Sequence, residues 1–156
     1  MRTAATVLGL LLVTAPGLAF GQGPESPIAN AGAWTLIQVP GSGCFASLRG
    51  QQVDTLLAVN RDGKMVVGAG HSDWKLPSGQ EAITLQIDAG APVAMQASPV
   101  VNVIFGVVPN PAMTVALGKA QRLTWSLPSG RFVATNVTGL GVAFDAVRAC
   151  PQPKTP

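Results

Sequence analysis

Short runs of apolar residues, broken every few positions by turn formers, run through most of this 156-residue chain. Ile83, Leu85 and Ile87 alternate with Thr84, Gln86 and Asp88, the period of a strand with one face in a core and one in water. Trp34 to Val39 leads into the turn cluster Pro40-Gly-Ser-Gly43, and Cys44 to Leu48 follows as a second strand. Val53 to Val59 and Met65 to Val67 flank Asn60-Arg-Asp-Gly63, a hairpin signal because Gly accepts the positive φ of a tight turn. Ala89-Gly-Ala-Pro92 turns the chain into a strand over Val93 to Ala97. Val100 to Val108 is the longest apolar run of the mature part and predicts one buried, central strand.

Two segments carry helical signals. Asn110 is placed to cap a short helix from Pro111 to Leu117, with Pro at its first position and Gly118 as its stop. A second helix is predicted from Thr138, as N-cap, to about Cys150; Leu140, Ala143, Phe144, Val147 and Cys150 fall on one face. The fold class is α+β and β-rich: about seven to nine short antiparallel strands in a single sheet, a sandwich or a half-barrel. The C-terminal amphipathic helix packs across that sheet.

The ends differ from the middle. Residues 1–21 have the form of a signal peptide, with Arg2, the apolar stretch Val7 to Val13, and Ala19-Phe20-Gly21 ahead of the cut. The apolar stretch is too short for a membrane span, so no stable anchor is expected after cleavage. Residues 22–33 predict a flexible leader, 34–150 the globular domain, and 151–156 a disordered tail. Export makes an oxidising compartment, periplasmic or secreted, and an even cysteine count there predicts one disulfide between Cys44 and Cys150.

Composition narrows the function mainly by exclusion. With 47% hydrophobic and 11% charged residues the chain is a core former, and 18 Gly with 13 Pro disfavour a helical bundle. Losing Arg2 leaves nine Lys and Arg, scattered and often at turns, where nucleic-acid binding needs a cluster. A single His and two Cys make a metal site hard to build, and no phosphate-binding loop or dinucleotide fingerprint is present. No cofactor is expected.

His71, in Gly68-Ala-Gly-His-Ser-Asp73, is the one side chain suited to general base chemistry near neutral pH. Its neighbours Ser72 and Asp73 imitate a triad, but adjacent residues of an extended chain point to opposite sides and do not converge. Asn136-Val-Thr138 is a formal sequon that also reads as a strand end followed by a helix cap. Trp74-Lys-Leu-Pro-Ser-Gly79 recurs as Trp125-Ser-Leu-Pro-Ser-Gly130, either a duplicated unit or one piece of hairpin chemistry used twice. If Trp74 and Trp125 stand at the sheet ends with their N–H groups outward, they and His71 form a possible binding surface.

Leu76-Pro-Ser-Gly-Gln-Glu-Ala-Ile-Thr-Leu-Gln-Ile-Asp88 and Val137-Thr-Gly-Leu-Gly-Val-Ala-Phe-Asp-Ala-Val147 resemble the invasion-associated locus B family of small exported alphaproteobacterial proteins. The likeness lies in a Leu-Pro turn, a strand ending in Asp, and a closing Gly-containing turn with an amphipathic helix. That family usually carries more cysteines than this chain. The resemblance implies an exported β-rich module and supplies no catalytic residues.

The expectation is therefore an exported, non-enzymatic protein that binds another envelope or host macromolecule. The alternative is a small-molecule or lipid carrier with an apolar cavity beside Val100–Val108. A hydrolase centred on His71 ranks third.

Overall fold

The computed structural model describes residues 26–39 and 43–150. The expected signal peptide, and the expected tail at 151–156, lie outside the described residues. The strands are β1 (Ser26–Ala31), β2 (Trp34–Val39), β3 (Gly43–Leu48), β4 (Asp54–Val59), β5 (Met65–Gly70), β6 (Glu81–Ile87), β7 (Val93–Val100), β8 (Val103–Val107), β9 (Arg122–Leu127) and β10 (Gly130–Thr135). Two helices, α1 (Pro111–Gly118) and α2 (Leu140–Ala149), complete the domain.

All ten strands belong to one open antiparallel sheet, in the order β1-β2-β3-β4-β5-β8-β7-β6-β9-β10. The first five strands meander. The chain then leaves the sheet after β5 and comes back through β6 and β7 to lay β8 beside β5. The α+β, β-rich architecture is the one expected, and of the forms expected for it the single antiparallel sheet is the one observed.

Period-two alternation decides which side faces the core. Leu36, Ala46, Leu57, Val67, Ile104, Met95, Leu85 and Leu123 all point to one buried side. Helix α2 packs on that side against β1, β2, β3 and β4, and against α1. Its buried stripe is Leu140, Ala143, Phe144 and Val147. The helices approach closely at Gly141, where an added Cβ would sit 3.1 Å from the Gly118 carbonyl oxygen.

Several contacts hold the rolled sheet together. The Gln52 side chain accepts the Val133 amide at 2.9 Å, occupying a backbone donor of edge strand β10. The Trp34 indole, fully buried, donates to the Thr138 carbonyl at 3.1 Å just before α2. Cys44 of β3 and Cys150, at the end of α2, form a disulfide with Cα atoms 6.1 Å apart. These contacts join residues roughly 80 to 106 positions apart.

Local signals hold where their chemistry is local. Asn110 caps α1, its side chain accepting the Met113 amide at 2.9 Å, with Pro111 beside it. Asn60 Oδ1 accepts from the Asp62 and Lys64 amides, and Gly63 takes a φ of +74° in the β4–β5 turn.

Four expectations need correction. The segment 100–108 is not one strand: β7 ends at Val100, Val101 and Asn102 turn, and β8 starts at Val103. Val101 has φ +56°, unfavourable for a β-branched residue, and stands 67% exposed. The turn is hidden because Val carries no turn signal. β8 does lie inside the sheet, between β5 and β7. Of the expected flexible leader 22–33, residues 22–25 lie outside the described residues, and Ser26–Ala31 is strand β1, paired with β2 through its backbone. Helix α2 starts at Leu140, not Thr138; Gly139 precedes it with φ +86° and no side-chain cap. The Trp-x-Leu-Pro-Ser-Gly sequence is hairpin chemistry only once: 125–130 turns β9 into β10, while 74–79 is a connector between β5 and β6.

The disulfide links α2 to the strand layer across most of the domain. Replacing both Cys44 and Cys150 by Ala should lower the unfolding free energy by about 5 kcal/mol, the loop-entropy value for a loop of this length. Urea denaturation of the oxidised protein and the double variant measures the difference.

Candidate functional site

The side of the sheet away from the core is not uniform. Over β6, β7 and β9 it carries Thr84, Gln86, Gln96 and Ser126, ordinary solvent-facing polar residues. Over β2 to β5 and β8 it is apolar. There the register aligns Ile37, Phe45, Ala58, Val66 and Val107 in one row across five strands. The next row is Ser47, Leu56, Gly68, Phe105 and Ser98. A third holds Asp54, Gly70, Val103 and Val100.

These rows line an open trough of about 690 Å³, bounded at one end by His71, Ser72 and the Val101–Asn102 turn. Two glycines of β5 shape its floor. A Cβ on Gly68 would lie 2.6 Å from Phe105 Cδ1 and 2.8 Å from the Ile104 carbonyl oxygen. One on Gly70 would lie 2.9 Å from Val103 Cγ2. Because β5 presents no side chain at either position, Phe105 and Val103 lie flat against it. Phe45, Leu56, Val66 and Phe105 are half-buried, as expected of side chains that line a concavity.

Polarity changes along the strands. The Ile37–Val107 row is wholly apolar, whereas Asp54, His71, Ser72 and Asn102 gather at the other end. The His71 amide donates to the Asn102 carbonyl at 3.1 Å, joining the two loops. His71 Nδ1 accepts the Asp73 amide at 3.2 Å, so the neutral ring carries its proton on Nε2. Asp54 Oδ1 accepts the Gly50 amide at 3.1 Å. Among the described residues no Lys or Arg lines the trough.

The triad-like trio does not assemble. The Ser72 hydroxyl donates to Asp73 Oδ1 at 3.3 Å, and His71 Nδ1 is taken by the Asp73 backbone. The Asp73 side chain is 86% exposed, unlike a buried carboxylate that orients a catalytic imidazole. No group of three or more potential metal ligands occurs among the described residues.

The proposed tryptophan surface is not formed. Trp125 lies inside β9, opposite Leu85 and Phe132, and is fully buried, its Nε1 without a hydrogen-bond partner. The alternation Leu123, Trp125, Leu127 already carried that placement; the following Pro-Ser-Gly turn drew attention to the sheet end instead. Trp74 is half-buried on Phe132, ring centroids 4.7 Å apart, and braces the β5–β6 connector against β10. Of the three residues, only His71 borders the trough.

A second, smaller cleft of about 350 Å³ lies at Asp88, Gln121, Arg122 and Asn136. Asp88 has φ +49°, and its Oδ1 accepts the Gln121 and Arg122 amides at 3.0 and 2.8 Å. Its own amide donates to the Arg122 carbonyl. The strand-ending Asp is a clamp between the end of β6 and the start of β9, with its near oxygen already satisfied.

No protein-family model matches the chain, and no curated protein matches it significantly in sequence. Among solved structures, the crystal structure of invasion associated protein B from Bartonella henselae matches with a TM-score of 0.55 and 18% identity. The match covers 81% of this chain and 97% of that one. At this identity the likeness is one of fold, and it supports the distant resemblance to the invasion-associated locus B family.

The floor of the trough depends on the missing side chain at position 68. Gly68→Val should destabilise the domain by about 1–3 kcal/mol, the range for overpacking, because the Ile104 carbonyl cannot retreat without breaking sheet register. Urea unfolding gives the loss, and near-ultraviolet circular dichroism reports the displaced Phe105 ring.

Proposed function

We propose that this protein is an exported, non-enzymatic binding protein that holds an apolar ligand in the outer-face trough. The observation that carries this reading is the apolar half of a sheet face that is polar over its other strands. Aliphatic and aromatic side chains left half-exposed in one concavity mark a binding site more often than isolated surface residues do. The trough also lies beside β8, where the carrier alternative required a cavity. The macromolecule reading loses the Trp74–Trp125 patch that was its main support. Export rests on the N-terminal pattern and on the Cys44–Cys150 disulfide. A non-catalytic role rests on the unassembled polar groups around His71.

A second reading keeps the trough and changes the occupant. An envelope or host macromolecule could present an apolar segment to it. The 67% exposed Val101, at the end of the trough, favours that version.

Native mass spectrometry of the protein, purified from its own envelope without detergent, tests the principal reading. The expected spectrum contains a bound small molecule. Leu56→Asp should remove that adduct while leaving circular dichroism unchanged, since Leu56 faces away from the core. Ligand-free protein that also fails to take up a lauryl-chain probe would sink the proposal. Crosslinking in the envelope, with capture dependent on Leu56, would then point to the macromolecular partner.

A further inference from the structure

The trough has a direction as well as a volume. From Val66 to Gly70 along β5 is about 13 Å at the strand rise, and polarity increases steadily over that distance. One end has nothing to hydrogen-bond: Ile37, Phe45, Ala58 and Val66 present only hydrocarbon. At the other, His71 Nε2 supplies a donor, Asp54 an acceptor, and the Asn102 carboxamide both. An apolar ligand without a polar group would leave that end unpaired and desolvated, which costs free energy. A ligand with a polar group at one end satisfies it.

The charge of the head follows from the same residues. Lys and Arg are absent among the described lining residues, and Asp54 contributes a negative charge. A phosphate or carboxylate head would meet no fixed cation there among the described residues and would be repelled by Asp54. The mixture of donors and acceptors suits a group that both gives and takes hydrogen bonds, as neighbouring hydroxyls do. Resting on the reading of the trough as a ligand site, we infer that its ligand is a single-chain amphiphile with an uncharged, hydroxyl-bearing head. The head sits between Asp54, His71 and Asn102, and the chain lies over Leu56, Phe105 and Val66.

Three probes with one lauryl-length chain separate the possibilities: monolauroylglycerol, laurate and lauryltrimethylammonium, each titrated calorimetrically below its micelle concentration into the mature protein. Monolauroylglycerol should bind at least about tenfold more tightly than laurate, the scale of one hydrogen-bonded group lost to a buried mismatch. His71→Ala should weaken monolauroylglycerol about fivefold. Ser72→Arg, on the exposed rim, should tighten laurate about tenfold by giving the carboxylate a partner. Leu56→Asp should abolish binding of all three. Equal affinities for the three heads, or a preference for either ion, overturn the assignment of the head while leaving the trough as an apolar site. Failure of all three to bind overturns the trough as a ligand site and the head assignment with it.

Discussion

Two short helices cannot cover both faces of a ten-stranded sheet. In this protein both are spent on one face, where α2 lies across β1 to β4 and α1 lies against α2. Among the described residues, neither helix covers the other face. Over β6, β7 and β9 that side is polar and needs no cover. Over β2 to β5 and β8 it is apolar, and the glycines of β5 lower it into a trough. The candidate site is therefore a consequence of layer count: it is the part of the sheet that is built like a core but has no helix over it among the described residues.

The same economy explains how the domain stays closed. Its sheet is open at both edges, so register alone does not hold β10 near the rest. Long-range contacts supply this: Gln52 on the Val133 amide, Trp74 on Phe132, and Asp88 on the start of β9. The Trp34 indole and the disulfide fasten the two ends of α2. Gln52 also occupies a donor of an edge strand that would otherwise be available to another chain.

Such an arrangement puts residues that look equivalent on paper in different places in the fold. Trp74 and Trp125 suggest one aromatic surface, but Trp125 is core and Trp74 is a brace. Asp88 reads as the polar end of a strand and is also a backbone clamp. Leu56, Phe45 and Phe105 look like core and stand on the outside. His71 lies at the border of both worlds: its backbone and Nδ1 secure loops, and the residue lines one end of the trough.

What could be known from the sequence was whatever a few neighbouring residues decide. Alternation at 83–88, the Asp-Gly turn after Asn60, the Asn110-Pro111 cap and the stripe of α2 depend on contacts within a turn or a strand, and each predicted its element. The pairing of two cysteines follows from their number and compartment. Tertiary structure alone decided the rest. The apolar run 100–108 contains a turn because Val100 and Val103 pair across it, which no local residue preference announces. Two strands with the same alternation can expose their apolar side to a core or to a trough, depending on which layer lies opposite. Sequence specifies that a strand has two faces; only packing of distant segments specifies what each face meets.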